Sequence, residues 1–133
     1  MKTSYYAITH DTTPGAISIS LYPPRGTNYL HYPALCPPRS LLGDYKRGWC
    51  DERQYTRIFE AQLTKLDPLI VWNVLHQMTN GEEPILLCYE RAGTFCHRRI
   101  VAKWFSKGLD IEVPEISLLN QPHEQLSLFG GVQ

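Results

Sequence analysis

The spacing of apolar residues predicts three helices in the middle of the chain. Residues 39–46 form a short one, and a second begins at Asp51, where Gln54 three residues later completes a capping-box pattern. The third has Asp67 as its N-cap and Pro68 at its first helical position. The apolar positions of the second helix recur at helical spacing and are Tyr55, Ile58, Phe59, Leu63 and Leu66.

Short runs rich in apolar and aromatic residues predict the strands. Tyr5–Thr9 and Ala16–Leu21 flank a turn-rich segment. Ile85–Tyr89 is a continuous apolar run bounded by turn signals, which suits a buried central strand. Ile111–Val113 is the predicted last strand. Residues 22–40 carry five prolines and are predicted to form a long ordered loop.

The order of these elements predicts the fold class. A fourth helix, over residues 96–107, follows the predicted central strand. Strands that alternate with helices indicate an α/β fold, because parallel neighbours need helical crossovers. We expect a small three-layer domain with a mostly parallel sheet flanked by helices. Residues 1–116 are predicted to form this single domain, and residues 117–133 a flexible C-terminal tail.

Composition narrows the class of protein. The chain has 133 residues, of which 43% are hydrophobic, as in an ordinary globular domain. It has no apolar run of the roughly 18 residues that a membrane span requires, and no secretory signal pattern. We therefore expect a cytoplasmic protein with no membrane partner. Its cysteines are expected to stay reduced in that compartment, and they are Cys36, Cys50, Cys88 and Cys96.

Candidate chemistry concentrates where the fourth helix begins. Cys96 is predicted in its first turn, beside a potentially cationic His97 and the guanidinium of Arg98. Positive groups and a helix N-terminus favour the thiolate form of a cysteine. We predict Cys96 as a nucleophile, His97 as an acid or base, and Arg98 as an anion ligand. Glu90, just past the central strand, is predicted either to act as a base or to orient Arg98.

Less reactive interpretations of the same residues stay open. Cys88 lies among isoleucine and leucine, where a cysteine often packs as a small hydrophobic side chain. Zinc is another alternative, but seven residues separate Cys88 from Cys96 and no Cys-x(2–4)-Cys pair exists, so no metal is predicted. The loop that wraps a phosphate in cysteine phosphatases is missing, because Arg98 follows Cys96 too closely. The sequence identifies no cofactor.

Two blocks of sequence resemble a known family. Residues 85–91 (ILLCYER), followed by residues 95–98 (FCHR), closely resemble the signature of the domain-of-unknown-function family 488. Residues 35–46 resemble another block of that family, so the resemblance extends over most of the domain. It implies a compact α/β domain whose activity is not established. The site that it implies consists of Cys88, Glu90, Cys96, His97 and Arg98, with Pro37, Arg39 and Ser40 nearby.

The C-terminal peptide resembles a docking motif. Residues 125–129 read QLSLF, similar to the pentapeptide by which bacterial replication and repair proteins bind the DNA polymerase III sliding clamp. In such a motif Gln125 fills a polar subsite, and Leu128 and Phe129 fill an apolar pocket. Leu126 belongs to the same predicted contact. The alternative is a terminal strand that covers the core of the domain itself.

These features favour a protein whose tail recruits it to replicating or repaired DNA and whose thiol pocket acts on a nucleotide or nucleic-acid component. Thirteen basic residues balance thirteen acidic ones, so DNA contact must come from a local patch or through the clamp. Such a patch is predicted from Arg98, Arg99, Lys103 and Lys107. Two other classes stay open: a non-catalytic clamp- or DNA-binding module with a structural Cys-His cluster, and a small-molecule enzyme of nucleotide or sulfur metabolism.

Overall fold

The computed structural model describes residues 1–117, and its centre is a four-stranded sheet. The strand bounds are Lys2–Tyr5 for β1, Ala16–Ser18 for β2, Leu30–His31 for β3 and Ile85–Cys88 for β4. The strands lie in the order β1-β4-β2-β3, and every neighbouring pair is parallel. The α/β class and the parallel sheet are therefore confirmed, and β4 is the predicted central strand.

Four α-helices lie in the described part of the chain, and all four were predicted. Their bounds are Arg39–Lys46 for α1, Glu52–Leu63 for α2, Pro68–Met78 for α3 and His97–Leu109 for α4. The capping box of α2 is complete, because the Asp51 and Gln54 side chains each accept a hydrogen bond from the backbone N–H of the other. Asp67 caps α3 through its side-chain carboxylate. None of these helices is both long and apolar enough to cross a bilayer.

Two of the strand predictions were wrong. Tyr6–Ile8 form a 3₁₀ helix, so the predicted strand Tyr5–Thr9 is replaced by β1, which lies upstream. Residues 111–113 form no strand, and an isolated bridge to β1 forms at Glu115 instead. The predicted loop of residues 22–40 contains the short strand β3. Pairing of such short segments depends on neighbours in space, which local residue preference does not encode.

One face of the sheet packs against the helices. Ile17 and Leu86 lie side by side in β2 and β4 and are fully buried in the core. The helical members of the same core include Leu41, Phe59, Val71, Leu75, Val101 and Phe105. Helix α4 contacts β1 and β4, and α2 and α3 pack on α4. Helix α4 is therefore the element that connects the helical layer to the sheet.

The opposite face of the sheet carries Ser4, Leu87 and Ser18 side by side, and the segment that follows β1 lies against it. Ser4 and Ser18, whose side chains point to this face, are fully buried. The Ser4 hydroxyl lies 2.6 Å from that of Thr9, and the Tyr6 hydroxyl lies 2.6 Å from that of Ser18. The predicted docking peptide, residues 125–129, lies outside the described residues.

Candidate thiol site

The parallel strands all end at one edge of the sheet, and α4 begins there. The last residues of the strands are Tyr5, Ser18, His31 and Cys88. In open parallel sheets, ligands bind beyond the carboxyl ends of the strands, where loops and helix N-termini converge. The edge around Cys88 is therefore the place where this fold favours a binding site.

Cys88 and Cys96 meet at this edge. The loop between them turns at Gly93, which has φ of +83°, and brings Cys96 to the N-cap of α4. The two sulfurs are joined as a disulfide. The prediction of four free thiols was therefore wrong for this pair, whereas Cys36 and Cys50 are free and buried. A spacing of seven residues between two cysteines does not by itself predict that the loop between them brings their sulfurs together.

The guanidinium of Arg98 lies against both sulfurs and is fully buried. Its Nη1 donates to Cys88 Sγ at 2.9 Å and to the Glu90 carbonyl at 2.6 Å, and lies 3.7 Å from Cys96 Sγ. Its Nε donates to the Glu115 carboxylate at 3.3 Å. Burial lowers the pKa of Arg98 and the Glu115 carboxylate opposes that shift, so the guanidinium stays protonated at neutral pH.

The imidazole of His97 is neutral and is oriented by the backbone. Its Nε2 donates to the Ile19 carbonyl at 2.6 Å, so Nδ1 carries the lone pair, 3.8 Å from Cys96 Sγ. Burial lowers the pKa of His97 to about 4; the Ile19 hydrogen bond opposes this shift and the Arg98 charge adds to it. The potentially cationic imidazole of the sequence analysis is therefore held in its neutral form, and Arg98 supplies the positive charge beside the sulfurs.

A cavity of about 450 Å³ lies beside the sulfurs, within the size range of small-molecule sites. Its polar and aromatic lining comprises Ser20, Tyr22, Lys46, Cys88, Tyr89, Glu90 and His97. Cys88 thus borders the cavity, although it was the cysteine that sequence pattern assigned to core packing. Both cysteines are buried, at 1% exposed for Cys88 and 4% for Cys96. Cys96, the predicted nucleophile, is not among the residues that line the cavity and contacts His97 and Arg98 instead.

The other predicted site residues lie at different distances from the sulfurs. Glu90 borders the cavity, its Oε1 is 3.5 Å from Cys88 Sγ, and its carbonyl rather than its carboxylate accepts the hydrogen bond from Arg98. Arg39 and Ser40 are exposed on the first turn of α1. Pro37, from the same loop, lines the cavity.

The predicted basic face of α4 was wrong for Arg98. Arg98 turns inward to the sheet and is buried, whereas Arg99, Lys103 and Lys107 are exposed. The spacing of charges predicts which residues share one face of a helix. The packing of the helix on the sheet decides which of them point inward. Three exposed cations therefore make up this surface of α4.

A polar cluster that the sequence did not indicate adjoins the cavity. The Tyr6 hydroxyl lies 2.6 Å from Ser18 Oγ and donates to Ser20 Oγ at 2.9 Å. His31 Nε2 lies 2.9 Å from the Ser20 carbonyl and 3.4 Å from Cys36 Sγ. Burial raises the pKa of the Cys36 thiol to about 12 and also raises the pKa of Tyr6. The only signal was a set of hydroxyls at the ends of predicted strands.

The fold and the site together define an α/β domain with paired cysteines and a buried arginine at the carboxyl edge of a parallel sheet. Residues 3–109 match the DUF488-N3a family, which is described as the "Active DUF488-N3 subclade", and the chain belongs to this family. The predicted relation to family 488 is thereby confirmed. No match was found among curated proteins or among solved structures.

Proposed function

We propose that this protein uses the Cys88 thiolate for chemistry on a nucleotide or on a nucleotide unit of a nucleic acid, and that its C-terminal peptide docks it to a sliding clamp. The observation that carries the first part is the 2.9 Å contact between Arg98 Nη1 and Cys88 Sγ at the wall of the cavity. A fixed cation beside a sulfur favours the thiolate, which is the nucleophilic form of cysteine.

The reactive form in this proposal is the reduced protein. Two molecules of a low-molecular-weight thiol reduce the Cys88–Cys96 disulfide to two thiols and are themselves joined as one disulfide. The Glu90 carboxylate, 3.5 Å from Cys88 Sγ, is placed to accept the thiol proton. His97 Nδ1 lies 3.8 Å from Cys96 Sγ, but burial disfavours its protonated form, so its part as an acid or base stays a prediction. The contribution of Arg39 and Ser40 to ligand binding stays a prediction.

The rim of the cavity supports a nucleotide as the substrate class. Tyr22 and Tyr89 are 57% and 52% exposed, and the Tyr89 hydroxyl donates to the Tyr22 carbonyl at 2.6 Å. The Tyr89 ring is also held against the ring of Tyr6, with centroids 4.8 Å apart. Exposed aromatic rings that are held in place offer faces for base stacking, worth about 1–3 kcal/mol per base. Lys46 adds a positive charge for a phosphate.

Protection of Cys88 from alkylation tests this substrate class. The reduced protein, with a metal chelator present, is treated with iodoacetamide alone, with nucleoside monophosphates, or with a short single-stranded oligonucleotide. At about ten times the dissociation constant, a bound ligand is expected to slow alkylation of Cys88 about tenfold, because only the free protein reacts. Mass spectrometry of tryptic peptides measures the rate at each cysteine.

A pair of variants makes this test specific to the rim. Tyr89→Ala is expected to weaken protection, whereas Ile70→Ala, which removes another exposed large side chain, on α3, is expected to leave it unchanged. Equal alkylation rates with and without every nucleotide and oligonucleotide would overturn the proposed substrate class.

Clamp docking is tested separately with the full chain. Calorimetry against a bacterial sliding clamp is expected to show binding that Leu128→Ala with Phe129→Ala weakens at least about 30-fold, because truncated anchor residues cost 2 kcal/mol or more. Leu118→Ala with Leu119→Ala is the matched control, since it removes two apolar side chains from the same tail outside the motif. Unchanged affinity of the Leu128 and Phe129 variant would rule out clamp docking through this peptide.

A further inference from the structure

Three buried side chains at the thiol site bring ligand atoms for a metal ion to one point. The sulfurs of Cys88 and Cys96 and a ring nitrogen of His97 all lie within 4.8 Å of one another. Thiolate and imidazole are the donors that zinc and similar divalent ions of the first transition series prefer. We infer that, when the disulfide is reduced, these three residues bind one such ion.

The imidazole of His97 is already oriented as a ligand. Its Nε2 hydrogen is held by the Ile19 carbonyl at 2.6 Å, so Nδ1 is the nitrogen with a free lone pair, and it faces the sulfur of Cys96. In metal sites, a ligating histidine commonly donates its other N–H to a backbone carbonyl, which fixes both the tautomer and the direction of the ring. The contact with Ile19 has this role here.

The spacing of the two cysteines also suits a shared ion. Two sulfurs on one tetrahedral zinc lie about 3.8 Å apart, given Zn–S distances of about 2.3 Å. The Cα atoms of Cys88 and Cys96 are 7.7 Å apart, so the two side chains have room to reach one ion from opposite sides once the disulfide is reduced. An ion between the separated thiolates therefore requires no closer approach of the two backbones.

The surroundings leave one coordination position facing the cavity. Cys88 and His97 both line the cavity, so a ligand from solvent has access to an ion that they hold. Three protein ligands with an open fourth position are typical of catalytic rather than structural zinc sites. Two thiolates neutralise the charge of a divalent ion, and Arg98 Nη1 donates to the sulfur of Cys88. The inference does not depend on the proposed nucleotide substrate.

Cobalt is the probe that tests this site. The full chain, reduced with a phosphine under argon and freed of metal, is titrated with Co²⁺. One equivalent is expected to bind, with thiolate-to-cobalt absorption in the near ultraviolet and the visible bands of a four-coordinate ion, and Zn²⁺ is expected to displace it. A reduced protein that gives no thiolate band, or only substoichiometric binding, overturns the inference.

Two matched variants assign the ligands. Cys96→Ala is expected to weaken Co²⁺ binding at least about tenfold, since it removes one of the three ligands. Cys36→Ala removes a cysteine with the same 4% exposure outside the trio and is expected to leave the spectrum unchanged. The reverse result, loss of the band in Cys36→Ala and its retention in Cys96→Ala, contradicts the assignment.

A measurement on the unmodified chain covers the case in which Cys96→Ala fails to fold. Bound Zn²⁺ is expected to protect Cys88 and Cys96 from alkylation, and a chelator is expected to restore their reaction. Unprotected cysteines in the presence of stoichiometric zinc contradict the inference. Because the nucleotide experiments contain chelator, their outcome is independent of this one.

Discussion

Replacement of Arg98 by methionine is expected to destabilise the fold by about 2–4 kcal/mol, because it removes a buried cation while its partners stay buried or half-buried. Three acceptors lose one donor each: the sulfur of Cys88, the carbonyl of Glu90 and the carboxylate of Glu115, which keeps the N–H of Gly93. Methionine fills much of the same volume, so the loss is electrostatic rather than a cavity effect. Urea unfolding of the reduced protein measures the change.

Neighbouring residues give the controls for this prediction. Arg99→Met removes an exposed guanidinium that bonds only weakly to the Gly93 carbonyl, at 3.3 Å, and is expected to change stability by less than about 0.5 kcal/mol. Arg98→Lys is expected to restore little, because a lysine ammonium does not reproduce the planar fork of donors. If Arg98→Met unfolds at the same urea concentration as the wild type, Arg98 has no part in holding the site together.

The helices were predictable because their signals are local. A capping residue acts on amides two or three positions away, so Asp51 and Asp67 mark helix starts whatever surrounds them. The same is true of the apolar run of β4, whose length and composition suffice to identify it. In contrast, the short strand β3 exists only because β2 lies beside it.

The sequence indicated residues that meet at the sheet edge, but it did not indicate their geometry. The sequence indicated Cys88, Cys96, His97 and Arg98, yet which of them borders the cavity depends on the turn between β4 and α4. Because His97 is buried, its imidazole is neutral, and the positive charge beside the sulfurs belongs to Arg98. Burial is a property of the folded chain, and it could not be predicted from the order of residue types alone.

The ion-pair partner of Arg98 was also not predictable from the sequence. Glu115 lies 17 residues away and reaches Arg98 through the bridge that residue 115 makes to β1. No local pattern connects the two positions. Contacts of this kind follow from the order of strands in the sheet, so they become visible only with the fold.

In the reduced protein, iodoacetamide is expected to alkylate Cys88 at least about a hundred times faster than Cys36 at pH 8, because only thiolates react. Burial raises the pKa of Cys36 to about 12, so about one in ten thousand of its thiols is ionised at that pH. Cys88 is also buried, at 1% exposed, but its sulfur accepts a hydrogen bond from a fixed guanidinium and borders the cavity. The same ordering is expected at pH 9.

Peptide-resolved mass spectrometry of this reaction measures whether Cys88 is the reactive thiol of the site. Trypsin places all four cysteines on different peptides, since arginine follows Cys36 at position 39, Cys50 at position 53, Cys88 at position 91 and Cys96 at position 98. With reductant and chelator present, the Cys88 peptide is expected to be modified first and the Cys36 peptide last. A Cys88 that reacts no faster than Cys36 until denaturant is added would contradict this expectation.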